Sequence, residues 1–138
     1  MAQLKIVKAD EVQPQNIRGF GKAAGQVRRL IATEKLFFDV DDVSPGFSPH
    51  HRHTHGKYRA DGVEAEYPAD FDEIYFILRG GGVMQWKTES GEVREQEVRP
   101  GDTIHMPPGV LEHQRLNNGP EKIRLAAIGV APPRRTPI

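Results

Sequence analysis

Glu73-Ile74-Tyr75-Phe76-Ile77-Leu78-Arg79, then Gly80-Gly81-Gly82, then Val83-Met84-Gln85-Trp86-Lys87-Thr88, reads as two strands joined by a turn. Side chains two apart in a strand point to the same face. Glu73 therefore shares a face with Tyr75 and Ile77, while Ile74, Phe76 and Leu78 pack on the other side. Working outward, the same short period recurs. Leu4 to Lys8 reads as an edge strand, and Arg28 to Ala32 and Lys35 to Val40 flank a Thr33-Glu34 turn. Val93 to Arg99, Asp102 to Met106, His113 to Asn117 and Ile123 to Val130 follow, separated by Ser90-Gly91, Pro100-Gly101 and Asn117-Asn118-Gly119-Pro120. Short strands at this spacing predict an all-β sandwich or barrel. The tail Pro132-Pro133-Arg134-Arg135 reads as extended and loosely held.

The chain has 138 residues, which predicts one domain over 1–138 with its core at about 35–130 and a strand-and-loop extension over 1–34. Formal net charge is zero, with both signs interspersed, so neither nucleic acid nor an anionic membrane surface is indicated. Cysteine is absent, which excludes disulfides, thiolate ligands and a thiol nucleophile. Any metal must be held by nitrogen and oxygen. No apolar signal core opens the chain, and the longest apolar run, Leu125 to Ala131, is too short to span a bilayer. A cytoplasmic protein is expected. The stretch Gly19-Phe20-Gly21-Lys22-Ala23-Ala24-Gly25 superficially suggests a phosphate-cradling loop, but no strand precedes it and no amphipathic helix follows. It reads as a surface loop.

Two histidine-bearing segments carry the chemistry. The first is His50-His51-Arg52-His53-Thr54-His55, followed by Glu73; the second is Pro107-Pro108-Gly109-Val110-Leu111-Glu112-His113, followed by Asn117. Strand parity puts His51, His53 and His55 on one face and His50 on the other; it also groups His113 with Arg115 and Asn117. A divalent metal needs donors converging to about 2.0–2.2 Å. Imidazoles from two strands and a carboxylate from a third meet that need inside a narrow barrel. Histidine-rich tracts also occur as plain surface loops, so the Glu73-to-Gly80 spacing and the second segment decide for a metal.

These residues resemble the cupin family of double-stranded β-helix, or jelly-roll, proteins. Gly46, His51, His53, Glu73 and Gly80 match its first motif; Gly101, Pro107, Gly109, His113 and Asn117 match its second. The resemblance covers about residues 35 to 130. It implies a cupin-like jelly-roll β-barrel whose one divalent transition metal (Fe, Mn, Ni, Co or Zn) is held by His51, His53, Glu73 and His113. His55 is a possible alternative ligand or neighbour of the ligands. By resemblance alone a homodimer is expected, pairing through Leu4 to Val7. Two departures stand out. Nineteen residues separate His53 from Glu73 where the family has three or four. Three rather than two separate Gly109 from His113, which would reverse the facing of a regular strand. A bulge or a longer loop must restore His113 to the inside; Glu112 is the rival ligand. Some cupin-type sugar isomerases share the Pro-Pro-x-x-x-His-x-x-x-Asn spacing.

The insertion His55 to Asp72 brings cations, phenols and carboxylates near the metal and reads either as a lid over a substrate or as a solvated hairpin. Lys57, Tyr58 and Arg59, with Gln85 and Arg115 inside the barrel, are the expected substrate-binding residues. Tyr75 is the candidate proton donor, with a core aromatic as the plain reading. Parity turns Met84 and Trp86 away from the lumen; His105 has no decided facing. The expected activity is metal-dependent turnover of a small oxygen-rich molecule, with a dioxygenase first. The alternatives are a non-catalytic ligand-binding module and a sugar or sugar phosphate isomerase or lyase.

Overall fold

The computed structural model describes residues 2–16, 24–48, 55, 57–60, 63–110, 113–130 and 134–137. Among the described residues twelve strands are formed: β1 Gln15–Asn16, β2 Gly25–Ala32, β3 Leu36–Val43, β4 Lys57–Ala60, β5 Val63–Glu66, β6 Asp72–Arg79, β7 Gly82–Lys87, β8 Val93–Val98, β9 Thr103–Met106, β10 His113–Leu116, β11 Ile123–Val130 and β12 Arg134–Pro137. They build a six-stranded sheet in the order β1-β2-β3-β11-β6-β9, a three-stranded sheet β10-β7-β8 and a second three-stranded sheet β12-β5-β4. Every strand pair is antiparallel. Among the described residues no helix is long and apolar enough to cross a membrane.

Alternation in sequence becomes two faces in space. On β11, Ile123, Leu125 and Ala127 are buried, while Ile128 and Val130 on the opposite parity are half exposed. On β6, Glu73, Tyr75 and Ile77 point inward and Ile74, Phe76 and Leu78 outward. The core forms where the inner face of the large sheet meets the β10-β7-β8 sheet. Tyr75, Ile77, Met106, Ile123, Leu125 and Val43 pack there against Met84 and Val98, with Trp86 alongside. Each fully buried Ile, Leu or Met contributes about 1.5–3 kcal/mol relative to exposure. Gly80 ends β6 at φ +75°, where a Cβ would stand 2.6 Å from the Lys122 carbonyl oxygen. Left-handed φ and close backbone approach together require glycine.

Several expectations are corrected here. Leu4 to Lys8 forms no strand; it runs exposed into a short 3-10 turn at Ala9–Glu11. The C-terminal tail is not loose over its described part, because β12 pairs with β5 from Arg134↔Glu66 to Pro137↔Val63, with an Arg134–Glu66 ion pair. Met84 is in the core and Trp86 packs against it. The reason is the register: His113 pairs with Trp86 and Arg115 with Met84, so an inward His113 brings both even-numbered residues of β7 inward. The Gly80-Gly81 link thus does not carry the odd-numbered parity of β6 into β7. The stretch 19–23 of the glycine-rich loop lies outside the described residues.

Candidate functional site

Three of the expected residues meet inside the barrel. Glu73 comes in on β6, held by pairing with Gly129 on β11 and Met106 on β9. His113 is the first residue of β10 and is 1% exposed. A turn precedes it, with the Val110 amide donating to the Pro107 carbonyl at 3.1 Å. His113 thus stands at the very start of its strand, inside the barrel. His55 precedes the β4–β5 hairpin, and its side chain is fully buried. Its Nε2 lies 3.5 Å from Glu73 Oε1. Its ring meets the His113 ring edge-on, with centroids 4.5 Å apart.

An aromatic wall encloses His55. Tyr67 stacks on it at 4.7 Å and Phe71 meets it edge-on at 4.8 Å. Tyr67 and Phe71 also pack on each other at 4.5 Å. Phe71 continues to Phe37, whose ring carries the Arg29 guanidinium 4.7 Å above its centroid. Both Tyr67 and Phe71 belong to the long insertion, so that segment forms a hairpin and also walls the site. Burial with aromatic surroundings lowers the local dielectric and strengthens any charge interaction made there.

Asn117 holds the neighbouring backbone together. Its Nδ2 donates to the Val43 carbonyl at 2.9 Å and the Glu121 carbonyl at 2.7 Å, and its Oδ1 accepts from the Gly119 amide at 3.1 Å. The Asn117 amide donates to the Phe47 carbonyl, and the Gly46 amide donates to the Asn117 carbonyl. The last residue of the second motif thus locks the end of β10 onto the segment that leads toward the histidine tract.

The remaining candidates are scattered. Tyr75 is buried, two residues along from Glu73 on the same face. Lys57 is exposed and pairs with Glu64 across the hairpin, Nζ–Oε1 3.1 Å. Gln85 lies on the opposite face of β7 from Met84 and donates to Glu95 Oε1 at 2.5 Å, away from the core rather than in it. His105 is exposed and bonds Asp72 at 2.6 Å. His50, His51, His53 and Glu112 lie outside the described residues, as do the side chains of Tyr58, Arg59 and Arg115. Among the described residues no group of three or more His, Asp or Glu side chains is placed to hold a metal ion.

One part-buried ion pair has no sequence forecast. Arg29 on β2 holds Asp39 on β3 with both arms of its guanidinium, Nε–Oδ1 2.8 Å and Nη2–Oδ2 3.0 Å. The hydrogen bond to Asp39 raises the Arg29 pKa, against a smaller opposing effect of burial. Asp39 pairs with Ala127, which pairs in turn with Tyr75, so the ion pair shares a cross-strand row with the buried phenol. Its only local signal was three aspartates, Asp39, Asp41 and Asp42, set among the apolar residues of Phe37 to Val43.

Comparison with known proteins places the fold. No protein-family model matches the chain. A predicted oxalate decarboxylase from Thermotoga maritima superposes with TM-score 0.63 at 21% identity, over 92% of this chain and 99% of that one. A sugar phosphate isomerase from a cupin superfamily, from Silicibacter pomeroyi, gives TM-score 0.67 at 14% identity, over 97% and 82%. A Klebsiella pneumoniae protein with a double-stranded β-helix domain gives 0.63 at 15% identity, over 98% and 97%. In sequence, glucose-6-phosphate isomerase of Thermococcus litoralis is 40% identical over 50 residues, 36% of this chain and 26% of that protein. The same enzyme of Thermococcus gammatolerans is 37% identical over 60 residues, 44% of this chain and 31% of that protein. The matched stretches thus span less than a third of those two curated relatives.

Proposed function

We propose that this chain, which has the cupin double-stranded β-helix fold, is a metal-dependent enzyme that isomerises a small hydroxycarbonyl compound. The observation that carries the reading is that buried His55, walled by aromatic rings, lies against both Glu73 and His113. Two imidazoles and a carboxylate, with no thiol in the chain, are the donor chemistry of a borderline divalent metal. The described three do not complete a cage; His51 or His53, next along the chain from His55, would supply the rest. When bound, such a metal acts as a Lewis acid on adjacent substrate oxygens and makes a neighbouring C–H proton easier to remove.

The chain's own residues support the remaining tasks. Tyr67 and Phe71 exclude water above His55. Tyr75, buried beside Glu73, is positioned to hold or return a proton at a substrate oxygen. Isomerisation is favoured over oxygenation by the local identity to the two glucose-6-phosphate isomerases and by the Pro107-Pro108 to His113 to Asn117 spacing.

Elemental analysis of untagged protein should find about one divalent transition metal per chain. His113→Ala and His51→Ala should lose it while keeping the wild-type circular dichroism. A metal-free wild type, or full retention in folded His113→Ala, would refute the metal centre. For the reaction, solvent deuterium should enter the carbon next to the carbonyl of a turned-over hydroxyaldehyde or hydroxyketone, followed by NMR. Stoichiometric oxygen uptake in its place would make the protein an oxygenase and overturn the isomerase reading.

A further inference from the structure

Phe37 and Phe71 are buried, yet they pack apart from the cluster that Tyr75, Ile77, Met106 and Leu125 build. They belong instead to a line of four groups that runs from β2 to the site. The line begins at Arg29. Asp39 grips its guanidinium at Nε and Nη2, which fixes the plane of a long side chain. The register shift between Arg29 and Ile31 marks a bulge, a device that re-aims a side chain. Arg29 lies diagonal to Phe37, with the guanidinium 4.7 Å above the ring centroid. On β11, Gly129 leaves that ring its place, which an added Cβ would invade. Phe71 stacks on Phe37, with centroids 6.3 Å apart and planes 16° apart. It then meets the His55 ring at 88°, centroids 4.8 Å apart. The His113 ring meets His55 at 85°. Two perpendicular rings thus bear on the His55 imidazole, one from within the site and one at the end of the line from Arg29.

We infer that Arg29 is a positioning residue for the metal centre: through Phe37 and Phe71 it fixes the plane of the His55 imidazole, and so how tightly the site holds a metal. This rests on the metal reading above. An imidazole nitrogen donates along a lone pair in the ring plane, so a ring turned out of line binds weakly. Groups that orient a ligand ring change metal affinity about 10–100-fold when they are removed. The line also has a structural task. Phe37 belongs to the barrel wall, whereas His55 and Phe71 stand near the two ends of the long insertion. Stacking Phe71 on Phe37 ties the insertion to the wall at the point where it supplies an imidazole.

Cobalt(II) added to the metal-free full chain reads the centre without a substrate, by competition with a chelator and by its visible absorption spectrum. Phe37→Leu should raise the cobalt dissociation constant at least about tenfold and alter the spectrum. Should it fail to fold, Phe37→Met, closer in volume, replaces it. The double variant Arg29→Met/Asp39→Leu removes the ion pair without stranding a buried carboxylate, and should move both readouts the same way. Adding Phe37→Leu to that pair should raise the constant no further than Phe37→Leu alone, as a single line of contacts requires. Val98→Ala, a buried position on β8 outside the line, should lose stability and keep both readouts. Wild-type affinity and spectrum in the folded Phe37 variant would overturn the inference alone and leave the metal reading standing. So would an equal loss of affinity in Val98→Ala, since general loosening would then explain it. A wild type that binds no cobalt would overturn the metal reading and this inference with it.

Discussion

Gly129 shows how one residue shapes the site. It sits on β11 between Phe37 on β3 and Glu73 on β6. The Phe37 ring leans over it so closely that an added Cβ would stand 2.2 Å from the ring's Cε1. The missing side chain is what lets the ring lie flat between the Arg29 guanidinium and Phe71. Gly129→Ala must push Phe37 off its place, and overpacking of this kind costs about 1–3 kcal/mol. Chemical denaturation should show that loss with an unchanged m-value, and Phe37→Leu should relieve much of it in the double variant. Additive destabilisation of the two changes would mean that the ring and the glycine are not coupled. At this scale the burial of Glu73, His113 and Asn117 and the turn at Gly80 were legible, because each stands at a motif position. The Arg29–Asp39 pair was not. It depends on a register between two strands and on the irregularity between Arg29 and Ile31, neither of which appears in local sequence.

Among the elements, the small β12-β5-β4 sheet was the hardest to foresee. Lys57-Tyr58-Arg59-Ala60, Val63-Glu64-Ala65-Glu66 and Arg134-Arg135-Thr136-Pro137 lack the strict apolar alternation of β6 or β11. Their strand form rests on backbone pairing and on rim ion pairs such as Lys57–Glu64 and Arg134–Glu66. Strands half buried on a core announce themselves by period; strands held at the edge by their neighbours do not. The eight strands that line the two larger sheets from β2 onward fall within a few residues of their expected bounds. Exposed ion pairs add little, about 0–1 kcal/mol each, so β12 should be a weakly held edge. Truncation after Val130 should speed amide exchange at Val63–Glu66 by opening one side of β5, while leaving protection on β6 and β11 unchanged. Loss of protection across β6 and β11 would show instead that the tail helps to hold the barrel. No change at β5 would show that β12 does not protect it.

The whole molecule is joined at one end by an ionic network that spans three strands of its largest sheet. Asp42 on β3 accepts from Arg124 on β11 at 2.9 and 3.1 Å and from Arg28 on β2 at 3.1 Å. Burial alone would raise the Asp42 carboxyl, but the hydrogen bonds and charge of Arg124, with Arg28 and Lys122, outweigh it and hold the pKa below its ordinary value. Asp42 raises the Arg124 pKa in return. A carboxylate with a depressed folded-state pKa binds its proton more readily in the unfolded chain. Its stabilisation is thus complete above the ordinary carboxylate range and is lost as pH falls through the depressed value. The network is partly open to solvent, so its worth at neutral pH is on the order of 1 kcal/mol. Asp42→Asn should lose about that much at neutral pH, read from denaturant midpoints. Below the ordinary carboxylate range its stability should fall less steeply than wild type, and the two curves should converge. Parallel acid curves for the two proteins would show that Asp42 does not carry this part of the pH dependence.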